Sequence, residues 1–250
     1  MAHGDRLGAG QIQIAMHVAS VEQEVEDFYT ELKFPGPYAL EDFDYYNQGY
    51  TNNFLSMYDQ AIQGSQNVLD VGCGSGFITN YLAYRHPNTK FHGIDFCGSV
   101  EYAQEFSQTH GFTNVTYQRD NFLYTTDHKK YDCIISNGVI HHMPLYSSAI
   151  SKIKNMLTPN GTLVLGVYNK YGKLAKKFFN LSYRSELLRK DQEEAPFETS
   201  FSHSELINYF PDYNIVKVHP SLNNKLVDFK NLTNHHNGGL TIYWLKRTAT

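Results

Sequence analysis

Little of this 250-residue chain is charged: Asp, Glu, Lys and Arg make up 18% of it, against roughly 25% in average domains. The formal net charge is −4 and the pI about 6.3. That balance argues against a strongly basic nucleic-acid binder, a local patch aside. No stretch approaches the roughly 18 consecutive apolar residues of a membrane span, so no transmembrane segment is expected. The first residues lack the basic start, apolar run and small-residue cleavage site of an ordinary secretory leader, so none is expected. Cysteine is scarce. Cys73, Cys97 and Cys133 are odd in number and none stands in CxxC spacing, which points to neither a disulfide framework nor a zinc ribbon. They read as reduced thiols of a cytoplasmic protein. The polar surface is left to Asn, Gln, Ser, Thr, His and 19 Tyr, a set suited to neutral or aromatic ligands. Hydrophobic residues still reach 41%, enough for a sizeable core.

Apolar runs and helical patterns alternate through the middle of the chain. Asn67–Val71, Lys90–Asp95, Val115–Gln118, Tyr131–Ser136 and Gly161–Val167 read as strands. Phe77–Tyr84, Val100–His110 and Tyr146–Leu157 read as helices, the last with Ile150, Ile153 and Leu157 at apolar spacing and Pro159-Asn-Gly161 as its stop. Strand alternating with helix predicts an α/β fold, a parallel sheet covered on both faces. The flanks differ. Residues 1–64 read as helical and Tyr-rich, with an acidic amphipathic stretch from Val18 to Leu32 and a break at Phe34-Pro-Gly-Pro37. Residues 169–212 read as helical again, and Tyr213–His219 and Gly239–Lys246 as two late strands.

One segment carries most of the chemistry. Asp70-Val-Gly-Cys-Gly-Ser-Gly76 follows a strand and opens a helix. Gly72, Gly74 and Gly76, with Cys73 among them, let the backbone approach a ligand closely. The free N–H groups at the helix start favour a polar or anionic group. The spacing departs from the dinucleotide fingerprint G-x-G-x-x-G, because Phe77 stands where a small residue is required. Asp70 lies where a carboxylate accepts from a cationic amino group, or else only caps the next helix. Asp95 ends the second strand, where a carboxylate takes two ribose hydroxyls.

With these motifs the chain resembles the seven-stranded, class I S-adenosylmethionine-dependent methyltransferases, whose first motif reads D/E-x-G-x-G-x-G. The match covers about residues 66–168 in order: Asp70–Gly76, Asp95, the segment Asp120-Asn-Phe122 after strand three, strand four running into Asn137 and His141-His142, and Leu157–Leu165. The resemblance implies a single Rossmann-like, mostly parallel sheet of seven strands, the seventh antiparallel, with helices on both faces. It implies a helical cap over residues 1–64, a methyltransferase domain over 65–250 and a helical insertion at about 169–212 over the substrate. It also implies S-adenosyl-L-methionine as cofactor and S-adenosyl-L-homocysteine as product. Asp70 would then meet the cofactor amine, Asp95 the ribose and Phe96 the adenine face. Asp120 would meet the adenine amine with Asn121 and Phe122 beside it, and Asn137 the methionyl part.

The acceptor side is thinner in signal. His141 and His142 follow strand four, where a histidine takes a proton from a hydroxyl or ammonium nucleophile, or where one ring mainly packs. As metal ligands they lack a third partner. Ser136-Asn-Gly-Val139 departs from the N/D-P-P-aromatic motif of enzymes that methylate base amines, which argues against nucleic acid as the acceptor. Tyr38, Tyr45, Tyr46 and Tyr50, with Asn47 among them, offer aromatic faces to a sulfonium, or else a hydrophobic lid surface; Tyr46 is taken as a substrate candidate. Tyr168 and Asn169 follow strand five at the edge where such sheets bind ligands, and are candidates for substrate contact. Lys170, Lys173, Lys176, Lys177, Arg184, Arg189 and Lys190 read as a solvated face, or as a surface for an acidic substrate or an RNA backbone. The expectation is an O- or N-methyltransferase acting on a small-molecule acceptor without a metal. The alternatives are protein, peptide or RNA methylation, or a non-catalytic S-adenosylmethionine-binding protein.

Overall fold

A computed structural model describes residues 9–43, 52–126, 128–179, 186–220, 226–233 and 239–248. Its strands are β1 (Asn67–Val71), β2 (Lys90–Asp95), β3 (Val115–Arg119), β4 (Tyr131–Asn137), β5 (Leu157–Tyr168), β6 (Tyr213–His219) and β7 (Leu240–Arg247). They form one seven-stranded sheet in the order β3-β2-β1-β4-β5-β7-β6. Only β7 runs antiparallel to its neighbours. β1, β2, β4 and most of β5 are buried along nearly their whole length, as strands covered on both faces are.

Helices cover both faces. They are α1 (Ala9–Leu32), α2 (Asn52–Ala61), α3 (Phe77–Arg85), α4 (Ser99–Thr109), α5 (Tyr146–Met156), α6 (Lys170–Phe179), α7 (Glu186–Glu193), α8 (His203–Ile207) and α9 (Val227–Thr233). One core joins α5, the loop before β6 and one face of the sheet, through Ile150, Ile153, Leu163, Leu165, Phe210 and Tyr243 among others. The other joins α2, α3 and α4 to the opposite face, through Leu55, Tyr58, Leu82, Phe106, Ile135 and Val164. α5 buries Ala149, Ile150, Ile153 and Met156, a single helical stripe. α8 is short and held by a capping box, in which Ser202 and Glu205 satisfy each other's backbone N–H.

The expected strands and helices are present, with shifted ends. The largest shift is in β5, expected from Gly161 and found from Leu157. Leu157 already pairs with Tyr131, and the ladder resumes at Cys133 with Thr162. The Pro159-Asn-Gly161 stop is therefore an excursion within the strand's first rungs, not the gap before it.

Candidate active site

A cavity of about 330 Å³ opens at the carboxyl ends of β1, β2 and β4. Strand order reverses between β1 and β4, and sheets of this kind bind ligands at that point. The turn after β1 forms its floor. Gly72, Gly74 and Gly76 have φ of 72°, 54° and 80°, a region that L side chains rarely adopt. A Cβ on Gly72 would lie 2.2 Å from a Val139 methyl, and one on Gly74 would lie 2.5 Å from the Phe34 carbonyl. Close approach is thus demanded from within the fold itself. Gly76 does not border the cavity. It caps α3 in the left-handed conformation, against Ala103.

Carboxylates ring this floor. Asp95 accepts from the Gly74 N–H at 2.7 Å and the Cys97 N–H at 2.9 Å, which ties the glycine turn to the end of β2. Burial raises its pKa, and the two N–H donors oppose that rise. Asp70 accepts from the Thr79 hydroxyl of α3 at 2.5 Å. Burial pushes its carboxyl up to about 7, with Thr79 opposing and Asp95 adding to it. Asp70 therefore ties β1 to the first turn of α3 through the Thr79 side chain rather than capping its backbone, and it also borders the cavity. Cys73, Phe96, Asp120, Asn121 and Phe122 line the same space. The turn after β3 is held from behind by Lys152, whose ammonium donates to the Phe122, Leu123 and Thr125 carbonyls at 2.6, 3.2 and 2.7 Å.

α1 closes the opposite side. Glu22, Val25 and Tyr29 share one face of it and point into the cavity. Thr30 accepts from the Gly98 N–H, and Phe34 accepts from the Ser75 N–H, so α1 and its following turn are docked on the glycine turn. Tyr29 also reaches across to His142, with its hydroxyl 2.9 Å from Nε2, and to Asp191 of α7, at 2.7 Å. His142 Nδ1 donates to the Phe197 carbonyl at 2.9 Å. Burial holds His142 below the ordinary histidine range, with Asp191 opposing.

Several sequence candidates lie elsewhere. His141 is fully buried outside the cavity lining. Its ring packs 4.0 Å from that of Tyr168, its nitrogens make no hydrogen bond, and burial holds its pKa well below the ordinary range. It fills core space while His142 faces the cavity. Tyr168 is buried with its hydroxyl donated to Asp191, one layer behind the lining. Asn169 caps α6, its Oδ1 accepting from the Tyr171 and Gly172 N–H groups at 2.9 and 3.3 Å. Tyr46, with Tyr45, Asn47 and Tyr50, lies outside the described residues. Tyr38 packs behind the glycine turn and donates to the Ser75 carbonyl. The basic helix is partly neutralised: Lys170 pairs with Glu205 and Lys173 with Glu198.

Sequence reading missed Glu22, Val25, Tyr29 and Asp191. The first three were visible as one face of the amphipathic stretch at i, i+3 and i+7. Nothing local marks Asp191. Among the described residues no group of His, Cys, Asp and Glu is placed to hold a metal ion, and no helix is long and apolar enough to cross a membrane.

The sheet order and the cavity at its switch point define a class I, S-adenosylmethionine-dependent methyltransferase. A family model described as a methyltransferase domain matches residues 62–221, and the chain belongs to that family. Among curated relatives, a malonyl-[acyl-carrier protein] O-methyltransferase of Acetivibrio thermocellus is 28% identical over 149 residues, 58% of this chain and 50% of that one. An (S)-coclaurine N-methyltransferase of Thalictrum flavum is 29% identical over 106 residues, 41% of this chain and 28% of that one. This chain thus spans half or less of the length of these relatives. Among solved structures, the N-methyltransferase NodS of Bradyrhizobium japonicum, in complex with S-adenosyl-L-homocysteine, superposes with a TM-score of 0.56 at 14% identity. That match covers 92% of this chain and 97% of that one. The plantazolicin methyltransferase BpumL, with a pentazolic analogue and S-adenosyl-L-homocysteine, gives 0.59 at 15% identity, covering 93% and 99%. These likenesses establish the fold.

Proposed function

We propose that this protein transfers a methyl group from S-adenosyl-L-methionine to an O or N atom of a small-molecule acceptor. The observation that carries this reading is the closure of the cavity by α1. A helix docked on the glycine turn and bonded across to His142 and Asp191 leaves a recessed, partly covered space of a size for a small molecule, which favours such an acceptor over a polymer. The residues fit the cofactor. Asn137 Oδ1 is buried beside the cavity with no hydrogen-bond partner, an acceptor that an ammonium group would satisfy. Asp70 would hold the same amine, Asp95 the ribose hydroxyls, and Phe96, Asp120, Asn121 and Phe122 the adenine. The cofactor, when bound, supplies an activated methyl group. The chain's part is to hold a nucleophile in line, exclude water beneath α1 and receive a proton. His142 and its partners would serve that last task, with His141 packed against them in support. A cytoplasmic setting belongs to this reading, since all three thiols are free and buried.

Calorimetric titration of the chain with S-adenosyl-L-methionine and with NAD tests the proposal, with Asp95→Ala as control. Micromolar binding of the first alone, weakened at least about tenfold in the variant, is expected. Tight NAD binding would sink the reading. Acceptor screening by S-adenosyl-L-homocysteine release follows, and complete absence of turnover with any acceptor would favour a non-catalytic binder.

A further inference from the structure

We propose that the acceptor is an amine, and that Tyr29, His142 and Asp191 together take up the proton it sheds. This rests on the methyltransferase reading above. The first observation is charge. Beyond Asp70, Asp95 and Asp120, which the cofactor would engage, Glu22 and Asp191 border the cavity, and among the described residues no Lys or Arg does. A carboxylate acceptor would bury its charge with no cation to meet it, a costly arrangement. An amine entering as ammonium meets a complementary field.

The second observation is a proton count. The Phe197 carbonyl can only accept, so His142 Nδ1 carries a hydrogen. The Tyr168 hydroxyl gives its proton to one oxygen of Asp191. Tyr29 has a single proton but sits 2.7 Å from the other Asp191 oxygen and 2.9 Å from His142 Nε2. With that proton donated to Asp191, the Tyr29 oxygen and His142 Nε2 face each other as two acceptors. One added proton completes the contact. The neighbouring charges do not fill this vacancy. Lys173 stands behind the Tyr168 ring and is paired with Glu198 at 2.8 Å, and His141 is held neutral by burial. Burial likewise leaves His142 neutral until a proton is delivered.

The transfer then balances. The ammonium first gives one proton to the Tyr29–His142 contact, where Asp191 offsets its charge. The lone pair so exposed forms the bond to the methyl carbon as the carbon–sulfur bond breaks toward sulfur, and the methylated amine leaves as its ammonium ion. Asp191 and Tyr168 are positioning residues here; Tyr29 and His142 face the acceptor.

The test uses the protein saturated with S-adenosyl-L-homocysteine, titrated calorimetrically with benzylamine and with benzoate, which match in shape and differ in charge. Benzylamine is expected to bind at least about tenfold more tightly. Asp191→Asn is expected to erase most of that preference while leaving S-adenosyl-L-homocysteine affinity within about twofold. In parallel, ¹⁵N resonances of His142 report its protonation: Nδ1 protonated throughout, Nε2 gaining a proton when benzylamine binds. Equal affinity, preference for benzoate, or no binding of either overturns the amine assignment, and an unmoved His142 resonance overturns the proton step. Should Asp191→Asn fail to fold, the comparison of the two ligands on the unaltered chain still decides. Failure of the unaltered chain to bind S-adenosyl-L-homocysteine would instead sink the underlying reading.

Discussion

The two sides of the cavity are built by different rules. The floor comes from short stretches: the seven residues Asp70–Gly76 that end β1 and form the turn after it, the acid that ends β2 and the turn after β3. Backbone conformation dominates there, through positive φ at the glycines and N–H groups donated to Asp95. The roof comes from side chains far apart in sequence. Tyr29 meets His142 across 113 positions and Asp191 across 162. A floor of this kind serves any ligand that shares the cofactor's shape. A roof of this kind is free to change with the acceptor, because altering one long-range polar contact leaves the glycine turn standing.

The sharpest way to break this comparison is to load the floor with one methyl group. Gly72→Ala adds left-handed strain of roughly 1–2 kcal/mol and a Cβ 2.2 Å from Val139. The combined cost is expected at about 2–4 kcal/mol in urea unfolding, with S-adenosyl-L-homocysteine binding lost. Gly111→Ala is the control. Its φ is also positive, at 70°, but a Cβ there meets nothing within 4 Å. It should cost only the strain and leave binding intact. Equal effects at the two sites would mean that the floor is no more demanding than a helix end.

This contrast also explains what could be read in the sequence. The floor was legible because its signals are local: a strand, three glycines at fixed spacing, and an acid at the next strand's end. The sheet followed from the alternation of strand and helix. The roof was legible only in pieces, as an amphipathic helix face and a candidate His142, and not as a contact between them. Asp191 sits in a polar helix whose neighbours are Lys190, Gln192 and Glu193, and only the distant hydroxyls of Tyr29 and Tyr168 give it a role. Tyr168 and Asn169 were singled out for standing at the ligand-binding edge. That edge, however, is one layer deep, and β5 ends behind it.

Asp70 sharpens the comparison through pH. Its carboxyl titrates near 7 in the folded chain against an ordinary value of 3.8, chiefly because it is buried. Between those values the folded chain holds a proton that the unfolded chain has released. Stability therefore falls as pH rises from about 4 to about 7, by at most about 1.4 kcal/mol per unit from this group. A ligand amine prefers the ionised form, so cofactor affinity should rise over the same range while the free protein weakens. Urea midpoints at pH 5 and pH 8 check the first half, and Asp70→Asn should flatten that difference. Superimposable curves for variant and parent would show that burial does not perturb this carboxyl.

Lys152 tests whether the floor needs support from outside the lining. Lys152→Met removes the donor to three carbonyls of the turn that carries Asn121 and Phe122. The expected loss is about 1–2 kcal/mol of stability, with S-adenosyl-L-homocysteine affinity weakened about threefold to tenfold. Unchanged affinity would show that the turn holds its shape unaided.

The smallest effect is expected at Asn169, and it separates the roof from the structure behind it. Its Oδ1 caps α6, and its Nδ2 donates to Asp228 at 2.7 Å. Asn169→Ala removes the cap at a cost of about 1 kcal/mol. Asn169→Asp keeps the cap's acceptor but sets a carboxylate against Asp228, so it should recover little of that loss. Because Asn169 does not border the cavity, both variants should bind S-adenosyl-L-homocysteine and benzylamine as the parent does. A selective loss of benzylamine binding, with stability unchanged, would move Asn169 into the acceptor site and extend the roof to the end of β5.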